Sequence, residues 1–410
     1  MNLLNVDTIH ETRTKMEKYC PFISPETEQA DLIHAAGRIL ASDLSSVENI
    51  PPYRRTTVDG YAVSSMDLGA ASEMLPTFLT ITGEVMLGSD SSRLKAGSGC
   101  CVYTPTGGEV VTGADAVVMT EYCETFGENM LAVSRPASPG ENIVQPGEDI
   151  RSGEILLRKG RLLTAQDIGT LAAAGFSSVP VFVPWKVSII STGDELVPPD
   201  TVPGPGQIRD VNTYAIAARS IREGLCVVRT AAVKDDRESL LRALESAKAD
   251  SDIIVLSGGS SKGKKDMSSE LIEKVADCGV LTHGIAAKPG KPTITGFDKE
   301  SRTMFIGLPG HPAAALMVFE QILIRIWRDL TCQPKERTVR AKITVNVQSA
   351  PGRRTFQLVT LQETDDTLAI PLFAKSGMIS PMTRADGYFE MSENQEGVSA
   401  GDLVHVHLWK

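Results

Sequence analysis

Two lysines on a short turn offer the clearest chemistry in this sequence. Lys288 and Lys291 are separated by a Pro-Gly pair, which favours a tight turn and should bring both ammonium groups to one small volume. A second Gly/Pro-rich segment, residues 307–312, then leads into an apolar stretch that we predict to be helical from about Ala313. Backbone amides at the start of a helix attract anions. The segment therefore predicts a pocket for a phosphate or another oxyanion, with a plain connection carrying solvated lysines as the alternative.

Two further loops place glycines, hydroxyls and acids where predicted strands end. Residues 192–195 follow the run KVSIIS, and residues 258–266 follow the run DIIVLS. Glycine lets backbone amides approach phosphate oxygens closely, and nearby lysines can neutralise charge, although the spacing is not that of a P-loop. The candidate binding residues of the second loop are Gly258, Gly259, Ser260 and Ser261.

The same loops hold several carboxylates, namely Asp194, Glu195, Asp210 and Asp266. Acids that converge on lysines predict a divalent cation bridging carboxylates and a phosphate, and Mg²⁺ prefers such oxygen ligands. Any of these four acids could supply the metal ligands. For any single acid, a helix cap or a solvated turn is an equally good interpretation.

The composition narrows the classes of ligand that we expect the protein to bind and the cellular locations in which we expect it. The chain has 410 residues and a formal net charge of -10, so it repels polyanions overall, and its aromatic content of 5% is low for a base-stacking surface. Its 7 cysteines include no Cys-x-x-Cys pair and its 6 histidines lack metal-ligand spacing, which argues against a disulfide scaffold or a zinc site. No segment has the character of a signal peptide or a membrane span. We expect a cytoplasmic protein without nucleic-acid or membrane partners, and we interpret His405 and His407 as surface residues.

The elements that must position these loops belong to an α/β domain. Strand and helix patterns alternate over residues 185–330, which predicts a parallel sheet covered on both faces. In such sheets ligands bind beyond the carboxyl ends of the strands, and the loops described above lie there.

The flanking regions have a different character. Short apolar runs separated by Gly, Pro and Ser predict an all-β insert over residues 50–146 and a small β domain over residues 331–410. A helix is predicted over residues 1–20, and residues 27–46 predict a second helix around Asp31 to Leu40 that runs into a short extended piece. The chain is therefore expected to form several domains.

Nine short motifs, none of them decisive alone, occur in one order along the chain. They are TVDGYAV (57–63), TG (106–107), GADAVV (113–118), GEDI (147–150), STGDEL (191–196), GQIRDVN (206–212), SGG (257–259), KPGKP (288–292) and GLPGHP (307–312). Together they resemble the molybdopterin molybdenumtransferase family, of the MoeA and gephyrin E-domain type, over essentially the full length.

The resemblance implies a homodimer with a multidomain α/β and β fold. It implies a MogA-like α/β active-site domain with a parallel-rich sheet, a small linker domain, a β-rich insert domain and a C-terminal β-barrel. The corresponding residues are 1–26 with 185–330 for the α/β domain, 27–49 with 147–184 for the linker, 50–146 for the insert, and 331–410 for the barrel.

The resemblance also implies a reaction in molybdenum cofactor biosynthesis. Molybdate is inserted into the dithiolene of adenylylated molybdopterin, and AMP is released with Mg²⁺ as the cofactor. The site would lie between the α/β domain of one subunit and the insert of the other. Molybdopterin adenylyltransferase and the recipient molybdoenzymes are the protein partners that the family implies.

Site residues carry over by motif from the family to this sequence. On the insert side they are Asp59, Thr106 and Asp149, and on the α/β side they are Glu195, Asp266, Lys288, Lys291, Pro309 and Pro312. Either Asp235 or Asp236 matches a further acid. For a family reaction that depends on Mg²⁺, we predict Glu195 and Asp266 as the metal ligands. In the C-terminal domain Ser376 and Arg384 fall in a region thought to hold molybdate or the pterin.

The chain departs from the family pattern at a few positions. Val58 stands where methionine is common, His311 stands where asparagine is common, and lysines occupy 262–265. The last change supports an alternative function, a catalytically weakened paralogue that serves as a dimeric scaffold for a partner protein. The retained acids and lysines favour the enzyme.

Overall fold

The computed structural model describes residues 6–258 and 265–409, with side chains resuming at Met267 after the gap. Contacts divide the chain into two compact units. Unit 1 comprises Met1–Ser42, Lys159–Thr164 and Val179–Lys410, and unit 2 comprises Asp43–Arg158 and Ala165–Ser178. This division is coarser than the four domains predicted from the sequence, whose boundaries stay a prediction.

The described residues form nine α-helices, and none of these is long and apolar enough to cross a membrane. They are α1 (Ile9–Glu17), α2 (Leu32–Ala35), α3 (Ala165–Ala173), α4 (Asn212–Arg222), α5 (Arg237–Lys248), α6 (Lys265–Val275), α7 (Pro312–Phe319), α8 (Arg325–Leu330) and α9 (Ser380–Arg384). A π-helical turn, Glu320–Ile324, joins α7 to α8.

A six-stranded sheet forms the centre of the α/β part of unit 1. Its strands, in spatial order, are Cys226–Val233, Lys186–Thr192, Ile253–Gly258, Thr303–Leu308, Ile294–Asp298 and Val280–His283. The first four strands are parallel, and the last two are joined by antiparallel pairing. The predicted parallel-rich sheet is confirmed, but the sequence patterns did not reveal the strands at 280–283 and 294–298.

The two faces of this sheet carry separate apolar cores. Val187 and Ile189 pack with residues of α4 and α7 on one face, whereas Ile190 packs with residues of α5 and α6 on the other. Adjacent residues of a strand point to opposite faces, so one buried strand can serve both layers. The carboxyl ends of the parallel strands are thereby held at one edge, beside the starts of α4 and α7.

The C-terminal part of unit 1 is a closed five-stranded barrel, as predicted. Its strands are Arg354–Glu363, Thr367–Pro371, Thr338–Ile343, Leu403–Leu408 and Gly387–Met391, and the last strand pairs again with the first. The short strand Ala287–Lys288 pairs in parallel with the start of Arg354–Glu363 and places Lys288 opposite Thr355. The lysine turn of the α/β part therefore belongs to the rim of the barrel.

A half-buried ionic network attaches the barrel to the helices of the α/β part. Arg325 on α8 contacts Glu390 at 2.8 Å, and Arg328 contacts Glu336 at 2.6 Å. His407 Nδ1 lies 3.0 Å from Glu336, and its ring stacks on Tyr388. The surface assignment of His407 is therefore wrong, because the barrel turns this residue toward α8, whereas His405 is exposed as expected.

Unit 2 is β-rich, as predicted for the insert. Its six-stranded sheet has the order Ala116–Met119, Gly60–Val63, Cys100–Thr104, Thr77–Glu84, Met130–Val133 and Cys123–Phe126. Two short pairs, Arg55–Thr56 with Ile143–Val144 and Leu44–Ser45 with Ile155–Leu157, complete it together with α3.

Only one turn of the helix predicted around Asp31 to Leu40 forms, as α2. Residues Thr27–Asp31 are a strand paired with Ser178–Phe182, and only the single turn of α2 follows. The pairing partner lies about 150 residues further along the chain, so long-range contacts override local helix preference here.

Candidate functional site

A cavity of about 600 Å³ lies at the carboxyl ends of the parallel strands in unit 1. We call it the strand-end cavity. Its lining includes Ser191, Thr192, Glu195, Asp210, Asn212, Ser257, Gly258, His311 and Pro312. These residues come from the ends of two adjacent strands and from the starts of α4 and α7, the position at which ligands bind in open α/β sheets.

Gly258 allows two adjacent strands, Lys186–Thr192 and Ile253–Gly258, to approach each other at the base of this cavity. Its φ is +129°, and a Cβ at this position would lie 2.0 Å from the carbonyl oxygen of Thr192. A side chain is therefore excluded by both backbone conformation and space. The glycine keeps backbone atoms of both strand ends next to the cavity.

Two buried polar side chains at the start of α4 form the inner wall. The Oδ1 atom of Asp210 accepts from the Thr213 amide at 3.1 Å and from the Ser191 hydroxyl at 3.3 Å. The Asn212 Nδ2 donates to Ser257 Oγ at 2.7 Å and to the Gly310 carbonyl at 2.9 Å. The start of α4 is thus tied to the neighbouring strand end and to the loop before α7.

Glu195 lies at the rim of the cavity. Its carboxylate sits over Gly193, where a Cβ would be 2.9 Å from the carboxyl group. Glu195 is exposed, and its side chain has no hydrogen-bond or ion-pair partner in the described residues. A free carboxylate at a strand end is available to a ligand or a cation.

The structure separates the roles of Asp235 and Asp236. Asp236 caps α5 by accepting from the Ser239 amide at 2.9 Å, and this backbone hydrogen bond lowers the pKa of its carboxyl group. Asp235 instead accepts from the Thr192 hydroxyl at 3.3 Å, next to the strand-end cavity. Thr192 lines the strand-end cavity, whereas neither Asp235 nor Asp236 belongs to its described lining.

A second cavity, of about 720 Å³, lies between α7 and the barrel. We call it the barrel cavity. It is lined by Lys288, Lys375 and Ser376 together with apolar residues that include Met317, Phe356, Leu358 and Phe373. Among the described residues of this lining there are two ammonium groups and no carboxylate, so its charge suits an anion.

A hydrogen-bonded bridge lies where the two cavities meet. His311 Nδ1 is 2.9 Å from Ser376 Oγ, and the Ala313 amide donates to the Ser376 carbonyl at 3.3 Å. His311 lines the strand-end cavity, whereas Ala313 and Ser376 line the barrel cavity. The segment 375–378 is therefore seated on the start of α7.

Other expected residues of unit 1 lie outside these cavities. Lys291 is exposed and lines neither cavity, Pro309 is buried in the loop before α7, and Arg384 is exposed at the end of α9. Gly259, Ser260, Ser261 and the side chain of Asp266 lie outside the described residues, as does most of the lysine-bearing stretch 262–265.

In unit 2 the structure brings two of the three expected residues together. Asp59 Oδ1 accepts from the Thr106 amide at 2.7 Å and from its hydroxyl at 3.0 Å. These two hydrogen bonds lower the pKa of the exposed Asp59 carboxyl. Asp149 lies in a separate loop, where it lines a shallow depression with Arg151 and Glu154.

Three family models match nearly the whole chain. The MoeA N-terminal region (domain I and II) matches residues 7–175, the probable molybdopterin binding domain matches 188–328, and the MoeA C-terminal region (domain IV) matches 340–409. The molybdopterin molybdenumtransferase of Haemophilus influenzae is 30% identical over 406 residues, covering 97% of this chain and 98% of that protein. This chain belongs to the molybdopterin molybdenumtransferase family.

Solved structures and a eukaryotic relative agree with the family assignment. A crystal structure of a molybdopterin biosynthesis MoeA protein from Pyrococcus horikoshii has 35% identity and a TM-score of 0.77, covering 99% of this chain and 100% of that one. Gephyrin of Dictyostelium discoideum is 32% identical over 361 residues, which cover 80% of this chain and 50% of gephyrin. The MoeA-type fold and a place in molybdenum cofactor biosynthesis follow for this member of the family.

Sequence reasoning gave no role to some residues of this candidate site. Asn212 was visible only as the end of a motif and His311 only as a departure from the family pattern, whereas Lys375 falls in the C-terminal segment 375–378 that the resemblance already implied. Their partners Ser257, Gly310 and Ser376 are 45 to 98 residues away in sequence. The polar type of Asn212 just after Asp210, at a predicted helix start, was the signal that could have revealed it.

Proposed function

We propose that this protein inserts molybdenum from molybdate into adenylylated molybdopterin and releases AMP. The observation that carries the proposal is the pairing of two adjacent cavities with different charge. The strand-end cavity is lined by Glu195 and Asp210, and the barrel cavity is lined by Lys288 and Lys375. A substrate that joins a pterin to phosphates, together with an incoming oxyanion, needs both environments.

The lysines have a direct chemical role in this proposal. Molybdate and the phosphates are anions, so Lys288 and Lys375 bind and orient them in a cavity whose apolar residues restrict water. Ser376 adds a hydroxyl donor, and its bond to His311 fixes the position of that hydroxyl. These groups can neutralise charge that develops on the departing AMP.

We also propose that Mg²⁺ takes part. No group of three or more His, Cys, Asp or Glu in the described ranges could hold a metal by itself. That fits Mg²⁺, which usually binds one or two protein carboxylates and completes its shell with substrate phosphates and water. Glu195, free of protein partners in the described residues, would be one ligand, and Asp266 is proposed as the other. When bound, the ion would polarise a phosphoryl oxygen.

An assay of AMP release tests the function. Purified protein is incubated with adenylylated molybdopterin, and AMP is quantified with and without molybdate and Mg²⁺. We expect AMP only when both are present, and we expect Asp266→Asn and Glu195→Gln to abolish this Mg²⁺-dependent AMP release. No AMP from the wild-type protein under any condition would contradict the enzyme and favour the scaffold function.

A further inference from the structure

We propose that the insert sheet of unit 2 docks an extended segment of a partner protein, with apolar side chains in its centre and Lys or Arg at its ends. This inference does not depend on the proposed reaction, because none of the residues that carry it lines the strand-end cavity or the barrel cavity. The argument starts from three exposed apolar side chains on neighbouring strands.

Phe78, Phe126 and Met130 lie on one face of the insert sheet. Met130 is paired directly with Phe126, and Phe78 is paired with Ala132, two residues along the same strand. Residues two apart on a strand share a face. Phe78, Phe126 and Met130 are 55%, 45% and 50% exposed, and the two rings lie 6.0 Å apart. The opposite face of these strands is buried in the core of the insert and holds Leu79, Leu131 and Val133.

The apolar surface extends beyond these three side chains. The loop that leads into Thr77–Glu84 contains Met74 and Leu75, which are 98% and 67% exposed. Single apolar residues are common on protein surfaces, whereas a cluster of them usually marks an interaction site. The exposed face of the insert sheet is therefore a candidate surface for a protein partner.

The strand Cys123–Phe126 is an open edge of this sheet in the described part of the chain. It pairs only with Met130–Val133, so one side of its backbone presents N–H and C=O groups that have no strand partner. The other outer strand is covered, since the Val117 amide donates to the Glu141 carbonyl at 3.1 Å. An extended peptide can add to an open edge by backbone hydrogen bonds, and its side chains on the exposed face would then contact Phe126.

The charge of the insert selects the kind of partner. Residues 56–134 contain ten acidic residues but only two basic ones, Arg93 and Lys95, so this stretch has a formal charge of -8 out of -10 for the whole chain. The Lys95 carbonyl accepts from the Thr82 hydroxyl, toward the end of the strand that is remote from Phe78. Such a surface repels nucleic acid, an anionic membrane and a second copy of itself, and it attracts a basic segment.

Three exposed acids surround the open edge itself. Glu121 precedes the edge strand, Glu124 lies within it and Glu128 follows it. No ion pair joins these carboxylates to the described residues, and Arg135, after the hairpin, is already paired with Glu141 at 2.7 Å. Lys or Arg at the ends of a docked segment would meet these acids, while its central apolar side chains meet the two rings.

Binding of a synthetic peptide to the full-length protein tests the proposal. The probe is a fluorescein-labelled peptide in which alternating Val and Phe are flanked by Lys at both ends, and the control peptide has Glu in place of each Lys. We expect fluorescence anisotropy to detect binding of the Lys-flanked peptide alone. Once this peptide is bound, amide hydrogen exchange in residues 123–126 should slow.

The double variant Phe78→Thr with Phe126→Thr keeps the strand preference and removes both rings. It should weaken peptide binding by about tenfold or more, because a buried aromatic side chain at an interface typically contributes more than about 1 kcal/mol. Leu403→Thr removes an exposed apolar side chain from a barrel strand, and this matched control should leave binding unchanged.

A second variant changes only charge, by combining Glu121→Gln, Glu124→Gln and Glu128→Gln. It should weaken binding and reduce its dependence on salt, and it decides the question if the aromatic variant does not fold by circular dichroism. No binding of the Lys-flanked peptide, equal binding of both peptides, or wild-type affinity in either variant would overturn the inference. A lower oligomeric mass of the aromatic variant in light scattering would also overturn it, because the face would then join copies of this chain.

Discussion

At the scale of single residues, the strand-end cavity depends on positions where the backbone leaves no space for a side chain. Gly258 is the clearest, because a Cβ there would overlap the Thr192 carbonyl. Gly206, in the loop before α4, also has positive φ, at +80°, but a Cβ there would have no heavy atom within 4 Å. A comparison of the two glycines therefore separates the free-energy cost of a side chain at positive φ from the free-energy cost of a steric clash.

We predict that Gly258→Ala is much more destabilising than Gly206→Ala. The Gly206 variant should lose about 1 kcal/mol of unfolding free energy, since alanine is strained at positive φ. The Gly258 variant should lose at least about 2 kcal/mol more, because two strand ends must also move apart. Urea unfolding followed by circular dichroism measures both, and equal losses would refute the close approach of the strand ends.

The cysteines allow a second prediction about residues. Burial raises the pKa values of Cys20, Cys101 and Cys123 to about 12. Only about one such thiol in ten thousand is then ionised at pH 8, and the thiolate is the reactive form. We expect iodoacetamide to modify the exposed Cys226 and Cys332 first and these three only after unfolding. Mass spectrometry of peptides from native protein checks this, and early labelling of Cys101 would contradict it.

At the scale of elements, the strand Ala287–Lys288 decides where the first lysine acts. Pairing with the barrel strand Arg354–Glu363 places Lys288 at the barrel cavity, whereas Lys291 lies beyond the turn and lines neither cavity. Proximity in sequence therefore does not give the two lysines the same environment.

We predict that Lys288→Ala loses most of the AMP-releasing activity and keeps its fold. Removing a cation that faces an anion costs about 2–5 kcal/mol, which corresponds to at least a roughly thirtyfold loss. Lys335→Ala, another exposed lysine, is the control and should retain activity. The sequence predicts a similar loss for Lys291→Ala, and a smaller loss there would follow from its position outside the cavity lining. Near-normal turnover by the Lys288→Ala variant would count against the proposed enzymatic function.

The helices and strands also show how much of the fold could be predicted from the sequence. Alternating strand and helix patterns predicted the parallel strands and α4 to α7, because each is locally regular and strongly apolar. The strand at 294–298 was missed because it is short and contains Gly296, and the strand at 27–31 because its partner is distant. In the site, acids and lysines were visible as residue types. The bond from His311 to Ser376 depends on packing of the barrel against α7, which no local pattern encodes.

At the scale of the whole molecule, a charged network holds the barrel on α8. Burial alone would raise the pKa of Glu336. The hydrogen bond from His407, together with neighbouring carboxyl and arginine groups, instead holds this pKa well below its usual range. A carboxyl whose pKa is lower in the folded state stabilises the fold above its unfolded pKa and loses that contribution as the pH falls.

We predict that Glu336→Gln destabilises the protein by about 3 kcal/mol at pH 7, because partly buried arginines lose their counter-ion. The difference from wild type should shrink as the pH is lowered below about 4, where the unfolded-state carboxyl is protonated. Thermal melts from pH 7 to pH 3 measure both curves. Asp366→Asn, which removes an exposed pair with Lys342, is the control and should change little. A pH-independent difference would contradict this account of Glu336.

The second prediction for the whole molecule concerns assembly, which the family resemblance proposes to be a homodimer. Light scattering should give twice the mass of 44.0 kDa. If acids of the insert act with the α/β domain of a second copy, inactive Asp59→Asn and Glu195→Gln proteins should recover up to about a quarter of the site activity when refolded together. A fully active monomer, or failure to complement while mixed dimers form, would refute the shared site.

Residues 287–298 belong to both the barrel and the α/β sheet, and this links ligand binding to movement of the barrel. Within a dozen residues the chain contributes a strand to the rim of the barrel and another to the α/β sheet. Any tilt of the barrel relative to the α/β sheet must therefore move Lys288, and an anion bound to Lys288 must oppose that tilt. By mass action, a ligand present at 100 times its dissociation constant stabilises the state that binds it by about 2.7 kcal/mol. A ligand bound in the barrel cavity should then slow amide hydrogen exchange in barrel strands that do not contact the ligand.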